Sequence, residues 1–331
     1  MRIAPWLQIA LGAVVAICVA AAAFCFWVAF ADTERPAQST SIVIAEGSSL
    51  SDIAHQLGDA GIVRWPIAFI AYERLRDRNA TIQAAEYTFG PHLALPAVAT
   101  VLLQGGRPAT VWITIPEGFT ADQIGAVLQA HGIGTRSEFE AVVAHTDLRL
   151  DGVQTRGLEG YLFPDTYQLR RDATSRDAAD LMTATFMRKL PRDYLSAARK
   201  LKLTIPQIVT AASLIEREAR VDVERPIMAG VYYNRLRLGM PLQVDATIEY
   251  ALPNHKTELS LSDLKIDSPY NTYLYTGLPP TPIANPGAAS LNAAFHPATT
   301  DYLYYVYKGG GRHAFSTTLQ QQVEAEHKYL R

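Results

Sequence analysis

The hydrophobic and polar positions of this chain follow two spacings, which together predict a mixture of strands and helices. Short alternating runs such as Ile42-Val-Ile44 are typical of strands, whereas apolar residues recurring every three or four positions are typical of helices. Helical patterns occur at residues 66–76, 96–104, 137–144, 175–190, 192–200, 206–219, 226–238, 288–295 and 319–330. Near the end, two aromatic-rich runs flank Gly309-Gly310-Gly311 and predict a hairpin. The pattern therefore predicts an α+β fold.

The N-terminal part of the chain is an uninterrupted apolar run. Residues 7–30 carry no charge and are numerous enough to span a bilayer as a helix. Trp6 and Trp27 lie near the two ends of the run, where aromatic side chains are enriched in membrane proteins. We therefore interpret residues 1–31 as a short cytoplasmic tip followed by a transmembrane helix.

A cleaved secretory signal is the alternative interpretation of this run, because Ala29-Phe30-Ala31 has the small-x-small form of a cleavage site. The apolar core of a signal is usually only about 7–15 residues long, which favours a retained anchor. Arg2 precedes the run, and Asp32 and Glu34 follow it, so the remainder of the chain is expected outside the cytoplasm. The expected location is the inner (plasma) membrane, spanned once, with the bulk of the chain on the periplasmic or extracytoplasmic side.

A sequence repeat follows a short polar tether. Ile42-Val-Ile-Ala-Glu-Gly47 is echoed 71 positions later (42 to 113) by Ile113-Thr-Ile-Pro-Glu-Gly118, and four further positions match at the same offset. Each copy, near residues 42–62 and 113–133, predicts a strand, a turn at Glu-Gly and an amphipathic helix that ends at a glycine. A second helix follows each copy, and residues 86–89 predict another strand after the first, which gives the order β-α-α-β.

This order is similar to that of LysM-type modules, which recognise the N-acetylated sugars of cell walls. The resemblance implies a LysM-like region at residues 41–150, and the alternative is a small α+β spacer that binds no ligand. From about residue 150 the character of the chain changes, because aromatic residues, prolines and asparagines cluster in loops between helices. Residues 151–331 are therefore predicted to form a separate domain.

Composition excludes several classes of function. The 331-residue chain has a formal net charge of −2 and no basic run, so there is no electrostatic case for nucleic-acid binding. Its two cysteines, Cys18 and Cys25, both lie in the N-terminal apolar run, which excludes a disulfide framework or a thiolate metal site elsewhere. The eight histidines are scattered, without an H-E-x-x-H pair or another close ligand spacing. We therefore predict neither a metal nor a cofactor.

One predicted helix carries two glutamates of possible chemical interest. Thr204 can cap it and Pro206 suits its first turn. Its core-facing stripe consists of Ile208, Ala211, Ala212, Ile215 and Ala219. Glu216 and Glu218 flank the stripe on opposite sides, and a carboxyl group among apolar neighbours keeps its proton more readily, as a general acid requires. Helical spacing does not choose between them, and the alternative is that both are ordinary flanking charges.

Three loops of this half combine polar and aromatic residues, at residues 159–167, 242–250 and 268–273. Sugars present many hydroxyls and apolar ring faces, so amides, carboxylates and tyrosines suit a cleft that binds them. The candidates for substrate contacts are Tyr161, Gln243, Asp245, Asn271 and Tyr273.

Taken in order, the motifs of this half resemble the MltG/YceG-like family of endolytic murein transglycosylases. The matching segments are residues 159–167 (EGYLFPDTY), 214–218 (LIERE), 231–240 (VYYNRLRLGM), 242–245 (LQVD), 268–273 (SPYNTY), 277–280 (GLPP), 283–287 (IANPG), 302–304 (YLY) and 313–316 (HAFS). One departure is Ala246, where the family usually carries proline, and it affects loop stiffness more than chemistry. The resemblance implies that residues 151–331 form a YceG-like catalytic domain.

The resemblance also implies a reaction and a catalytic residue. In this family the first glutamate of the I-E-[KR]-E segment is catalytic, which corresponds to Glu216. A lytic transglycosylase uses the C6 hydroxyl of the substrate's own muramic sugar as nucleophile and forms a 1,6-anhydro ring, so one glutamate serves first as acid and then as base. The implied partners are the glycan strands of peptidoglycan, which would be cut internally, and proteins of peptidoglycan synthesis.

Two alternatives remain open at this point. The first is a hydrolase of the same substrate, in which Asp245 or Glu159 positions a water molecule, since a hydrolase generally needs two carboxylates. The second is a scaffold that binds the cell wall without cutting it, whose helix charges are structural. The products distinguish these alternatives: anhydro ends for the lyase, reducing ends for the hydrolase and none for the scaffold.

Overall fold

The computed structural model describes residues 13–17, 19–20, 23, 38–76, 82–252, 256 and 259–330. The predicted membrane anchor at residues 7–30 lies mostly outside these described residues. Within them, no helix has both the length and the apolar character needed to cross a bilayer. The chain divides into two compact units, one of Met1–Val111 with Arg170–Asp172 and the other of Trp112–Leu169 with Ala173–Arg331.

The first unit is a three-stranded antiparallel sheet covered by helices. Its elements in chain order are β1 (Thr40–Ile44), α1 (Leu50–Asp59), α2 (Pro66–Arg76), β2 (Ala85–Phe89), α3 (Leu95–Gln104) and β3 (Arg107–Pro108). The strand order is β1-β2-β3, with Thr40 opposite Phe89 and Ala85 opposite Pro108. Leu57, Phe69 and Tyr87 are each at most 1% exposed and lie in the core that joins the sheet to its helices. The β-α-α-β order predicted for the first copy of the repeat is present.

The second copy of the repeat repeats these local features. Its elements are β4 (Thr110–Thr114), α4 (Ala121–Ala130) and α5 (Arg136–Ala144), followed by the short β5 (Arg149–Leu150) and β6 (Val153–Gln154), and by β7 (Thr166–Arg170), which pairs with β4. A capping box begins the first helix of each copy, made by Ser49 with Asp52 and by Thr120 with Gln123. Because the division between the two units falls within β4, the predicted region of residues 41–150 includes parts of both.

The remainder of the second unit is mainly helical. It contains α6 (Ser175–Lys189), α7 (Tyr194–Leu201), α8 (Ile205–Glu218), α9 (Arg225–Leu238), α10 (Asp245–Ala251), α11 (Ala288–Phe295), β8 (Tyr304–Gly309), β9 (Arg312–Ser316), α12 (Leu319–Tyr329) and the 3-10 turns Asp222–Glu224 and Asp263–Lys265. The predicted hairpin is confirmed, because β8 and β9 pair with Tyr304 opposite Ser316. The predicted α+β class is confirmed as well.

Helix α10 corrects the prediction of a loop at residues 242–250. Seven residues, Asp245–Ala251, are helical, and Ala246, Thr247 and Ile248 are buried. The Thr247 hydroxyl donates a hydrogen bond to the Val244 carbonyl at 2.7 Å. A helix of two turns is too short for its apolar spacing to be distinguished from that of a loop, which explains the difference.

Helix α8 lies at the centre of the second unit. The cap predicted at Thr204 is confirmed, and it forms a capping box with Gln207. The predicted stripe is buried, but so are Val209, Ser213 and Leu214 on the other faces, since α7, α9, α10 and α11 all pack against this helix. The helix is therefore enclosed on all sides, and burial of a large apolar side chain such as that of Leu214 contributes about 1.5–3 kcal/mol.

Candidate functional site

Glu216 lies in the last turn of α8, where the helix emerges from the core. Its Oε1 accepts a hydrogen bond from Nη1 of Arg225 at 3.3 Å, and its Oε2 accepts one from the backbone N–H of Gly287 at 2.9 Å. The side chain is only 6% exposed. Two charge-assisted hydrogen bonds on a buried carboxylate fix its orientation. The Glu216 side chain therefore presents its carboxyl group in one defined position.

Arg225 opens α9 and connects Glu216 to two further elements. Its Nε donates to Oδ1 of Asp222 at 3.0 Å, and its Nη1 also donates to the Ser290 hydroxyl in α11. The guanidinium is 9% exposed, so this is a buried cation with several partners. Arg225 could not be predicted from the sequence, because nothing in its neighbourhood in the chain shows that it faces Glu216.

Glu117, in the loop between β4 and α4, supplies a second carboxylate at the same place. A Cβ atom added to Gly287 would overlap the Glu117 carboxyl group, so that carboxyl group lies directly against the Cα of Gly287. Burial and the neighbouring charge of Glu216 raise the pKa of Glu117, while Arg225 opposes this rise. In the sequence this residue is recognisable only as part of the repeat, and its position beside Glu216 was not predicted.

Asn285 holds together the loops around Glu216. It is fully buried, and its Oδ1 accepts hydrogen bonds from the backbone N–H groups of Gly160 and Leu162, both at 2.9 Å. Its Nδ2 donates to the Phe119 carbonyl at 2.9 Å and to Oε1 of Glu159 at 2.8 Å. Since Asn285 stands two residues before Gly287, these four bonds fix the backbone that contacts Glu216.

Glu159 binds the N-terminus of α4. Its two carboxylate oxygens accept hydrogen bonds from the backbone N–H of Ala121 at 3.0 and 3.2 Å, in addition to the bond from Asn285. Burial raises the pKa of Glu159 to about 7, and these hydrogen bonds offset part of the rise. An acidic group at a helix N-terminus is stabilising, so Glu159 has a structural role as the acceptor for the first N–H group of α4.

Glu218 belongs to a separate cluster. Its Oε2 accepts a hydrogen bond from the Tyr305 hydroxyl at 3.4 Å, and the Tyr305 hydroxyl lies 3.2 Å from that of Tyr232. Burial and then the charge of Asp245 raise the pKa of Glu218 to about 7. The two glutamates that helical spacing could not separate therefore have different surroundings: Glu216 contacts an arginine and a backbone N–H, and Glu218 contacts a tyrosine.

Three of the five predicted cleft residues lie together. The Tyr273 hydroxyl donates to Oδ1 of Asp245, and Gln243 accepts a hydrogen bond from Nη1 of Arg235 at 3.3 Å. Gln243 and Asp245 are exposed, and Tyr273 is half-buried, so all three can reach a bound molecule. Burial and then the hydrogen bond to Asp245 raise the pKa of Tyr273, which keeps its hydroxyl protonated as a donor.

The other two predicted cleft residues are in the interior. Tyr161 is 2% exposed and packs edge-to-face on Phe186 with ring centroids 5.2 Å apart. Asn271 is fully buried, and its amide donates to the carbonyls of Leu264 and Ile266 at 3.0 and 2.8 Å. These positions differ from the exposed ones expected of cleft residues, because tyrosine and asparagine serve equally well in organising a loop from inside.

Two polar cavities open beside the last turn of α8 and share Arg217, Ala246 and Glu249. One has a volume of about 640 Å³ and is lined by Arg217, Glu218, Arg220, Ala246, Glu249, Tyr307, Gly311 and His313. The other, of about 370 Å³, includes Thr120, Glu159 and Tyr250 in its lining. The Arg217–Glu249 ion pair, 2.9 Å long, lies at their common wall. Within the described ranges, no group of three or more His, Cys, Asp and Glu side chains is arranged to hold a metal ion.

The comparisons with known proteins agree with this arrangement of motifs. The model of the YceG-like family matches residues 42–328, which is most of the chain. The chain belongs to the YceG-like family. The match to the family model includes both copies of the repeat and the elements that carry Glu216, Arg225 and Gly287.

Two curated relatives and one solved structure are similar to this chain over 80% or more of its length. A Bacillus subtilis (strain 168) protein named endolytic murein transglycosylase is 36% identical over 318 residues, covering 90% of this chain and 87% of the relative. A Streptococcus pneumoniae protein of the same name is 30% identical over 80% of this chain and 54% of its own length. A crystal structure of a YceG-like protein from Listeria monocytogenes, 30% identical, matches with a TM-score of 0.59 over 87% of this chain and 98% of that one.

Proposed function

We propose that this chain is an endolytic peptidoglycan lytic transglycosylase that cuts the β-1,4 bond between MurNAc and GlcNAc within glycan strands. Two relatives with the name endolytic murein transglycosylase support the activity, the first over 87% of its own length. The observation that carries the assignment of the site is the buried carboxylate of Glu216, held between Arg225 and the N–H of Gly287.

The proposed mechanism uses Glu216 twice. Its protonated carboxyl group donates a proton to the glycosidic oxygen as the bond to the anomeric carbon of MurNAc breaks, and the GlcNAc hydroxyl leaves. The resulting carboxylate then accepts the proton of the C6 hydroxyl, whose oxygen bonds to the same anomeric carbon and closes a 1,6-anhydro ring. The substrate's N-acetyl group can shelter the developing positive charge. Water is not consumed, and Glu216 ends protonated as it began.

Gln243, Asp245 and Tyr273 are proposed to contact the glycan. Their support is their exposure and the hydrogen bond between Tyr273 and Asp245, which presents a hydroxyl and a carboxylate on one surface. Tyr161 and Asn271 are proposed to act from the interior, by holding their loops in place, since neither side chain is accessible.

We also propose that the protein is anchored in the inner membrane by residues 7–30 and works on its outer side. The support is the length and apolar character of that run. Residues 41–150 are proposed to form a LysM-like region, supported by the β-α-α-β order of its first copy and by the antiparallel pairing of β1 with β2. Membrane-bound proteins of peptidoglycan synthesis are the proposed protein partners, by family resemblance.

A peptidoglycan hydrolase is the second candidate function, and one observation favours it. Hydrolases generally use two carboxylates, and Glu117 places a second one against Gly287, beside Glu216. The two functions differ in their products, because a hydrolase leaves reducing MurNAc ends and a lytic transglycosylase leaves 1,6-anhydro-MurNAc ends.

The experiment is digestion of purified sacculi with the purified full-length protein in detergent, followed by mass spectrometry of the soluble fragments. We expect long glycan fragments that end in 1,6-anhydro-MurNAc, each lighter by one water than the corresponding reducing end. Reducing ends would establish the hydrolase instead. Binding to sacculi with no soluble fragments would contradict both candidates and favour a scaffold.

A further inference from the structure

Helix α2 exposes an apolar stripe on the side turned away from the core of the first unit. Ile67, Ala71 and Leu75 recur every fourth residue and are exposed, the two larger side chains by 81% and 88%. Phe69 and Glu73 lie on the buried side and are 0% and 4% exposed. At about 100° of rotation per residue, the centres of the exposed stripe and the buried side lie about 180° apart. The helix therefore carries apolar side chains on the face that the core covers and also on the opposite face.

The exposed apolar surface of the first unit is concentrated at this helix. Among the residues described within 38–111, the large apolar side chains that are exposed are those of Trp65, Ile67, Leu75 and Leu103. Leu103 lies on another helix, α3, whereas Trp65 immediately precedes α2 and is 48% exposed. Single exposed apolar side chains are ordinary, whereas a stripe along one helix face is typical of helices that lie on another surface.

The ends of α2 are basic, and its one acidic side chain faces the core. Arg74 adjoins the stripe and Arg76 ends the helix, and both are exposed. Before the helix, the Arg64 guanidinium lies over the Trp65 ring, 5.6 Å from its centroid. The acidic side chain is that of Glu73, which is buried. An exposed apolar face with arginines and a tryptophan beside it is the pattern of helices that lie in the headgroup region of an anionic bilayer.

The chain before the first unit keeps this unit close to the proposed membrane anchor. Residues 31–39 separate Phe30, the last residue of the apolar run, from Thr40 at the start of β1. A connection of this length spans at most about 35 Å. A compact unit of roughly 70 residues is itself about 30 Å across. Any face of the unit can therefore meet the bilayer, and the chemistry of its surface selects the face.

We propose that α2 is a membrane-contact helix, whose exposed stripe lies in the headgroup region of an anionic phospholipid bilayer beside the anchor. The inference rests on the part of the proposed function that anchors residues 7–30 in the membrane. A lipid contact of small area is sufficient, because the anchor already holds the unit near the bilayer and raises its effective concentration there. The contact keeps the first unit against the lipid surface instead of at the full reach of its tether.

Other occupants fit the stripe less well. The helix is about 16 Å long, so the stripe covers roughly 160 Å². A typical protein interface buries about 800 Å² on each partner, which makes the stripe too small to hold a second copy of the chain. Ile67, Ala71 and Leu75 carry no hydroxyl, amide or carboxylate with which to bind a glycan.

The test uses the full-length protein in vesicles made of equal parts of phosphatidylcholine and phosphatidylglycerol. Cys18 and Cys25 are replaced by alanine, and Ala71→Cys then carries one fluorophore. A nitroxide on the upper acyl chain of the lipid quenches fluorophores at the depth of an interfacial helix, about 5–10 Å into the boundary between headgroups and acyl chains. We expect it to remove more than half of the emission from position 71, and less in vesicles of phosphatidylcholine alone, because these lack the anionic charge that attracts the arginines.

Ile67→Ser combined with Leu75→Ser removes the large side chains of the stripe and should abolish most of the quenching at position 71. Leu103→Ser is the matched control, because it removes an exposed leucine of the same unit from α3 and should leave the quenching unchanged. Circular dichroism checks that each variant folds. An unquenched label, or equal quenching in the double variant, would overturn the inference. So would emission that responds to added glycan strands, or to dilution of the labelled protein in the bilayer, and not to the lipid quencher.

Flotation of the vesicles in alkaline carbonate separates this inference from the proposed anchor. Protein that floats with the vesicles is anchored, so an unquenched label on that protein contradicts only the contact of α2. Protein that does not float contradicts the anchor, and the inference is overturned with it. Protein that floats with a quenched label supports both.

Discussion

Nη1 of Arg225 lies 3.3 Å from Oε1 of Glu216, and the two side chains are only 9% and 6% exposed. Burying one of these charges alone would cost several kcal/mol of desolvation free energy, and the opposite charge of its partner offsets this cost. The pair joins the end of α8 to the start of α9, so the proposed catalytic carboxylate is part of the packing of the domain. Loss of Arg225 should therefore affect both stability and activity, whereas a substitution of Glu216 leaves Arg225 paired with Asp222.

Replacement of Arg225 by alanine should lower the free energy of unfolding by about 3–5 kcal/mol, because it leaves a buried carboxylate without its partner. Urea unfolding followed by circular dichroism measures the change. Arg176→Ala is the control, since Arg176 pairs with Asp180 on the surface of α6 with both side chains more than half exposed. That variant should lose less than about 1 kcal/mol. Equal losses of unfolding free energy in the two variants would show that burial of the Arg225–Glu216 pair does not increase the cost of removing one partner.

Glu216→Gln should fold normally and lose about 10²–10⁴-fold in activity. Glutamine keeps the size and can still accept the N–H of Gly287, but it cannot supply a proton. Glu218→Gln is the matched variant from the same helix turn, and it should lose much less, because Glu218 contacts Tyr305 and not Arg225. The measurement is release of anhydromuropeptides by mass spectrometry, with circular dichroism for folding. A folded Glu216→Gln protein with near-normal release would remove Glu216 from the mechanism.

The stability of the protein should fall as pH rises between about 4.5 and about 7. Burial raises the pKa of Glu159 from its ordinary value of 4.5 to about 7, so the folded protein holds this proton more tightly than the unfolded chain does. The stabilisation is complete below the unfolded pKa and is lost as pH passes through the folded one. For Glu159 alone the change is about 3 kcal/mol. Glu218 acts in the same direction and in the same range.

Urea unfolding at about pH 5 and about pH 8 tests this dependence in wild type and in Glu159→Gln. Glutamine cannot ionise, so the difference between the two pH values should shrink in the variant. A variant with an undiminished pH dependence would show that Glu159 does not cause it. Glu218→Gln should reduce the difference independently, because its carboxyl group lies in another cluster.

Gly287→Ala should reduce activity with little effect on folding. The new methyl group would overlap the Glu117 carboxylate, which is the free end of a flexible side chain and can move aside at small cost. Displacement of that carboxylate changes the surroundings of Glu216, so release of anhydromuropeptides from sacculi should fall below the wild-type rate. Gly90→Ala is the control, because a Cβ there would meet nothing within 4 Å and no positive φ is involved. Wild-type release from a folded Gly287→Ala protein would contradict this prediction.

Local features of this protein could be predicted from the sequence because they depend on residues a few positions apart. The cap at Thr204, the stripe on α8 and the β8–β9 hairpin all follow from spacing of this kind. The repeat could be recognised for the same reason, since two segments with one pattern of apolar residues adopt one local structure. The motif containing Glu216 identified the family, and the family comparison confirmed it.

Which faces of α8 are buried could not be read from its own sequence. Spacing predicted one apolar stripe, but four neighbouring helices also bury Val209, Ser213 and Leu214. Residue type also did not predict which residues line the cleft. Tyrosine and asparagine are common in exposed sugar-binding sites, yet Tyr161 and Asn271 are both buried. Burial depends on what packs against a residue, and a single sequence does not contain that information.

The sequence by itself therefore determined the fold class, the repeat, the helix that bears Glu216 and the family to which the chain belongs. Only the tertiary structure decided what surrounds that glutamate. Arg225, Gly287 and Glu117 come from α9, the residue before α11 and the β4–α4 loop, far apart in the chain, and they meet at one carboxylate. The physical reason is that proton transfer depends on charges and hydrogen bonds within a few ångströms, and such distances are set by the packing of elements that are distant in sequence.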